Sequence, residues 1–149
     1  MYGDGIGAYK QAGVLTADPK RLVLMCYEEA IRNLKIAKER YMNRDYEEKA
    51  QALTKALDFI CALNSALDFK KGGEVASNLH VLYNYITVSL TDADLKKDLK
   101  ALDNVIWILS ELRSSWEEII SGRRKDTNLD LVSVLEGKKE AARAKELRV

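Results

Sequence analysis

One proline, at position 19, and four long stretches in which apolar residues recur every three or four positions constrain this chain more than any other feature. No glycine interrupts the chain between Gly13 and Gly72, or between Gly73 and Gly122. Proline and glycine are the residues that most disfavour a helix interior, so their scarcity favours long helices. The first stretch predicts a helix from Pro19 to about Met42, with Leu24, Tyr27, Ile31 and Leu34 on one face. Asp18 is placed to accept hydrogen bonds from the free N–H groups of the first turn. Pro19 occupies the first helical position, where its missing N–H costs nothing.

Asn43 and Arg44 read as a turn. Asp45 with Glu48 reads as a capping box opening a second helix, Tyr46 to about Leu67, striped by Ala50, Leu53, Leu57, Ile60 and Leu67. The segment Asp68 to Gly73 reads as a loop ended by a Gly-Gly breaker. A third helix is expected from Glu74 to about Ala93, striped by Val75, Leu79, Leu82, Ile86 and Leu90. A turn over Asp94 to Lys97 leads to a fourth, from about Asp98 to Ile120, with Leu99, Leu102, Ile106, Leu109 and Trp116. Gly122 is a good helix terminator.

Helices of this length span roughly 30–36 Å. Connections this short cannot cross over, so sequential helices pack antiparallel. The expected fold is all-α: an antiparallel up-down-up-down four-helix bundle over residues 18–121. A flexible N-terminal arm (1–17) precedes it and a mobile C-terminal tail (122–149) follows. The arm holds four of the eight glycines yet carries Tyr2, Ile6 and Tyr9. It reads either as a loose terminus or as an arm whose apolar side chains dock on the bundle. The tail begins with Arg123, Arg124 and Lys125. It then carries Leu129, Leu131, Val132, Val134 and Leu135, which suit a short amphipathic helix on docking or a solvated tail.

Two places carry more apolar surface than a core face needs. Leu22 to Tyr27 are six consecutive apolar residues, a run that a helix wraps around more than one side. Leu82, Tyr83, Tyr85 and Ile86 crowd the third helix, with Val81 and Val88 nearby. Tyrosine joins an apolar ring to a polar tip, which suits a partly wet groove. Surplus on two helices points to a groove for an amphipathic partner helix or to a homodimer seam, so an oligomer is a live reading.

Chemistry is poorly provided for. His80 is the single histidine and Ser77 stands three residues before it, so no Glu-x-x-His pair exists for a di-metal bundle. Cys26 and Cys61 with one histidine are a poor zinc set and read as core thiols. No glycine loop cradles a phosphate. The reading is therefore no metal, no cofactor and no enzyme. Charge balances at net +1 with 32% charged residues, which argues against a nucleic-acid binder. No apolar run approaches the ~20 residues of a membrane span, and the N-terminus has no secretory pattern, so no membrane insertion and a cytoplasmic location are expected.

These residues resemble a known family, the flagellin export chaperone FliS. The resemblance rests on Tyr9-Lys10-Gln11, Val14 to Pro19, Leu22 to Met25, Tyr27 and Ala30-Ile31. It continues in Lys70 to Glu74, Asn78-Leu79, Leu82-Tyr83, Tyr85, Lys96 to Asp98, Glu111 to Arg113 and Trp116. It covers about Ala8 to Ile120, in order. It implies a non-enzymatic helical bundle that binds the C-terminal segment of flagellin in the cytoplasm. Such a protein blocks premature polymerisation and delivers its client to the flagellar export gate. An anti-sigma factor or a flagellin-synthesis regulator is a further kind of partner it suggests. On this reading Leu22, Met25, Tyr27, Leu82, Tyr83, Tyr85 and Ile86 line the partner groove, and Ile6 and Tyr9 cover it when empty. Glu28-Glu29 and Val88-Ser89 depart from the family's pattern of Asp-Gly and paired arginines. The competing class is a regulatory or dimerisation bundle that binds no flagellin.

Overall fold

The computed structural model describes residues 19–122. Over these the chain forms four helices: α1 (Pro19–Met42), α2 (Tyr46–Ser65), α3 (Phe69–Lys96) and α4 (Leu99–Ile120). No strand occurs among the described residues. α1 packs against α2 and α4, and α3 packs against the same two, so α1 and α3 are diagonal. Cross-links between helices set the directions. Arg113 meets Glu28 while Lys38 meets Asp103, so α1 and α4 run antiparallel. Asn64 meets His80 and Asn84 while Lys49 meets Asp94, so α2 and α3 do too. The expected antiparallel four-helix bundle is the fold.

The 3.6-residue period decides the core. Leu34, Ile60, Leu79, Ile86, Leu90, Val105, Ile108, Leu109 and Leu112 are buried at the centre. Ala30 and Ala37 on α1, with Ala52 and Ala56 on α2, are also buried. Their small side chains let these two helices make the most extensive contact in the bundle. Each fully buried leucine or isoleucine contributes about 1.5–3 kcal/mol over leaving it exposed.

α1 has the predicted bounds, with its Asp18 cap outside the described residues, as are the arm with Ile6 and Tyr9 and the tail with Leu129 to Leu135. The capping box at Asp45 does not form, for Asp45 makes no side-chain cap. Its own N–H already donates to the Arg40 carbonyl at 2.8 Å, so Glu48 has nothing to reach back for. Glu48 pairs with the Arg40 guanidinium at 3.0 Å instead.

The third helix differs most from expectation. Asp68 accepts hydrogen bonds from the N–H groups of Lys70 and Lys71, both at 3.0 Å, so Phe69 to Gly72 coil instead of looping. Gly73, at φ 52° and ψ −127°, then kinks the chain without ending the helix. Only glycine takes this conformation at low cost. The other end runs one turn beyond Ala93, to Lys96. Lys97 closes it in the left-handed conformation, and Asp98 caps α4 by accepting from the Ala101 N–H at 3.1 Å. Nothing in Asp94-Leu95-Lys96 disfavours a helix, so α3 continues until that cap takes over.

Candidate functional site

The apolar run at the start of α1 divides as it enters the bundle. Leu22, Val23, Leu24 and Met25 are all partly exposed, and the next two residues, Cys26 and Tyr27, are buried. One turn of helix thus presents apolar side chains around its circumference before the core closes over it.

Tyr27 is fully buried and Tyr83, on the diagonal helix α3, is 2% exposed. Their hydroxyls hydrogen-bond to each other across the core, and their rings stand 6.5 Å apart at 50°. The indole N–H of Trp116 on α4 donates to the Tyr27 oxygen at 3.1 Å. Burial pushes both phenols well above the ordinary tyrosine range. Desolvation disfavours the phenolate, so both stay neutral hydrogen-bonding groups.

Four of the seven residues expected to line the groove are buried. Tyr27, Leu82, Tyr83 and Ile86 lie in the core, not on an open surface. Their phase explains it: Leu79, Leu82, Tyr83, Ile86 and Leu90 recur at three- and four-residue steps and form the inner face of α3. A phenol reaches a core position at low cost when its hydroxyl finds a partner there. Leu22, Met25 and Tyr85 remain partly exposed. They sit on diagonal helices, so they do not line one cleft between neighbours. An open groove of about 370 Å³ runs between α1 and α4, lined by Glu28, Ile31, Arg32, Lys35, Ser110, Arg113 and Ser114. It is charged where an apolar groove was expected, and it holds none of the seven residues. Trp116 is half-buried, not buried.

Several exposed apolar residues were missed in the sequence. Trp107 is 50% exposed, Phe69 52% and Leu95 78%. Phe69 opens α3, in a segment that its Gly-Gly pair makes read as a loop. Leu95 lies seven residues after Val88, itself seven after Val81, a spacing that could have singled it out.

His80 is exposed and held in a closed ring of polar side chains. Its Nδ1 lies 2.8 Å from the Asn64 Oδ1, its Nε2 lies 3.3 Å from the Asn84 Nδ2, and the Asn64 Nδ2 donates to the Asn84 Oδ1 at 3.2 Å. Phe69 stands edge-on to the imidazole, with centroids 5.8 Å apart. The ring ties α2 to α3. Among the described residues no group of histidine, cysteine, aspartate and glutamate could hold a metal ion. Cys26 and Cys61 form no disulfide among the described residues; Cys26 is buried and Cys61 partly so. Burial, with Asp58 beside it, pushes the Cys61 thiol up, away from the reactive thiolate.

The family model described as "Flagellar protein FliS" matches residues 3–123, which takes in all four helices. The chain belongs to the FliS family. It is 36% identical over 116 residues to the flagellar secretion chaperone FliS of Vibrio cholerae, covering 75% of this chain and 85% of that one. It is 36% identical over 125 residues to the protein of the same name in Salmonella typhimurium, covering 80% and 93%. For the Bacillus subtilis FliS the figures are 32% over 119 residues, 80% and 88%. FliS is a chaperone family and not an enzyme family, which accords with the sparse chemistry of the bundle. The FliS match stops near the end of α4, so residues 124–149 lie beyond it. Among the described residues no helix is long and apolar enough to cross a membrane.

Proposed function

We propose that this chain is a cytoplasmic flagellar secretion chaperone that binds the C-terminal segment of flagellin. It keeps that segment from polymerising prematurely and hands it to the flagellar export gate. Membership of the FliS family is the observation that carries this reading. The partly exposed apolar turn Leu22 to Met25 supports it, since only Val23 of the four packs against the core. Leu22, Met25 and Tyr85 are the residues that meet the partner first. Tyr27, Leu82, Tyr83 and Ile86 form the packed wall behind them. A client that is disordered until bound can engage separated patches and still be released, since ordering it lowers the net affinity.

The role proposed for Ile6 and Tyr9, which lie outside the described residues, is to cover the partner groove when no client is present. A cover of this kind lowers apparent affinity by the fraction of molecules that are closed. An anti-sigma factor or a flagellin-synthesis regulator is the second kind of partner for the same surface. Met25→Glu tests the placement. Met25 is partly exposed, so the carboxylate reaches water and the bundle keeps its helicity. Calorimetry with a flagellin C-terminal peptide then finds binding lost. A folded Met25→Glu protein that binds as tightly as the parent would remove α1 from the site.

A further inference from the structure

The Glu28–Arg113 ion pair fixes which side chains meet at the end of the bundle where α4 finishes. Leu24 precedes Glu28 by four residues, so it lies on the same side of α1, toward α4. Ile120 follows Arg113 by seven residues, two helical turns, so it lies on the same side of α4, toward α1. Met25, three residues before Glu28, widens this side outward. All three are partly exposed, and none is among the residues packed against the core. Two neighbouring helices thus bring three apolar side chains to one wet patch.

The chain leaves the bundle beside this patch. α4 stops at Ile120, and Gly122, at φ 74°, takes the left-handed conformation that turns the chain off the helix axis. Arg123, Arg124 and Lys125 come next, where the negative end of the helix dipole favours them. Leu129, Leu131, Val132, Val134 and Leu135 then follow within one short stretch. The residues between Gly122 and Leu129 span up to about 20 Å. Neighbouring helix axes are about 10 Å apart, so the stretch reaches Leu24 and Met25 with slack. Residues 123–149 hold 8 basic and 5 acidic side chains, which leaves the rest of this net +1 chain at −2. Tail and bundle therefore attract.

The size of the patch selects a tethered occupant. Two turns on each of two helices offer on the order of 200 Å², well under the ~800 Å² per partner of a standard stable interface. A second copy meeting the bundle here alone falls short of a stable dimer. A segment of the same chain is held nearby at an effective concentration of about 1 mM. A contact with a Kd of about 0.5 mM then closes about two-thirds of the molecules.

We infer that Leu129 to Leu135 of the C-terminal tail docks in cis on Leu24, Met25 and Ile120. Residues 124–149 lie beyond the FliS match, so this contact belongs to this chain and not to the bundle its family shares. It is made in the free protein and does not depend on the flagellin reading. Any partner that takes Met25 must first displace it.

Nuclear magnetic resonance on the full chain tests it, with methyl-labelled methionine and a gadolinium chelate free in solution. The chain has three methionines. Met25 reports the patch, and Met42, 64% exposed at the far end of α1, is the control. Relaxation of the Met25 methyl by the chelate is expected to rise about threefold in Leu131→Asp/Leu135→Asp, as a cover closed two-thirds of the time is removed. Met42 and the circular dichroism are expected to stay as in the parent. Equal Met25 relaxation in parent and double variant overturns the inference. So does protection in the parent that fades on dilution, which puts the tail of one copy on another. So does a rise in Ile6→Asp/Tyr9→Ser that the tail variant does not show, because the occupant is then the N-terminal arm. Should the double variant unfold, Leu135→Ser decides by itself.

Discussion

In the Tyr27–Tyr83–Trp116 cluster the Tyr27 hydroxyl takes part in two hydrogen bonds and the Tyr83 hydroxyl shares one of them, which predicts an asymmetry between the two tyrosines. The indole N–H goes to the Tyr27 oxygen, and one phenolic proton lies between the two hydroxyls. Tyr83→Phe removes the tyrosine–tyrosine bond and leaves the indole bond to the Tyr27 oxygen in place. Its expected cost is about 0.5–1.5 kcal/mol, that of one net hydrogen bond. Tyr27→Phe removes that bond and also the acceptor of the Trp116 N–H. One further buried donor left unsatisfied costs about 1–3 kcal/mol, so Tyr27→Phe is expected to destabilise by that much more than Tyr83→Phe. Urea unfolding followed by far-ultraviolet circular dichroism measures both, with unchanged slopes showing that the two-state comparison holds. A double-mutant cycle with Trp116→Phe isolates the indole bond, because Tyr27→Phe made in that background has only one bond left to break. Equal costs for the two tyrosines, or a greater cost at Tyr83, would refute the bond count.

Stability should be level through neutral pH and fall above about pH 10, where the unfolded chain ionises tyrosines that burial keeps protonated in the fold. The folded pKa is the raised one, so the unfolded state binds fewer protons there and loss follows rising pH; Tyr83→Phe should make the alkaline fall shallower in pH-dependent urea titrations. Gly73→Ala should cost about 1–3 kcal/mol in thermal or urea unfolding, because φ 52° with ψ −127° is a backbone state that alanine avoids. A neutral result there would mean that the kink relaxes when a side chain is added.

Much of the fold was legible because hydrophobic period and punctuation agree along most of the chain. Pro19 marks the start of α1, and Asp98 the cap of α4. Gly72-Gly73 misled, because a glycine pair breaks a helix only when no local group holds the turns on either side. Here the Asp68 carboxylate holds the first turn, and one left-handed residue absorbs the bend. Gly72 is needed for a different reason, since a Cβ there would come within 2.7 Å of the Ala76 Cβ. At the site, surplus apolar surface was legible on both α1 and α3, but its direction was not. Tyr83 and Tyr85 differ by two residues and therefore by more than half a turn of helix, so one points into the core and the other flanks the surface. What makes the inner position affordable is a hydroxyl 56 residues away, which no local pattern reveals.

The diagonal tyrosine bond also bears on how the bundle comes apart. Short turns make α1–α2 and α3–α4 two helical hairpins, each able to close with contacts near in sequence. Tyr27 belongs to the first hairpin, whereas Tyr83 and Trp116 both belong to the second. Their shared hydrogen bonds are made only once the hairpins have come together, and parting the hairpins breaks them all at once. Amide exchange of the innermost residues of α1 and of α3 should therefore report one common opening, not two independent ones.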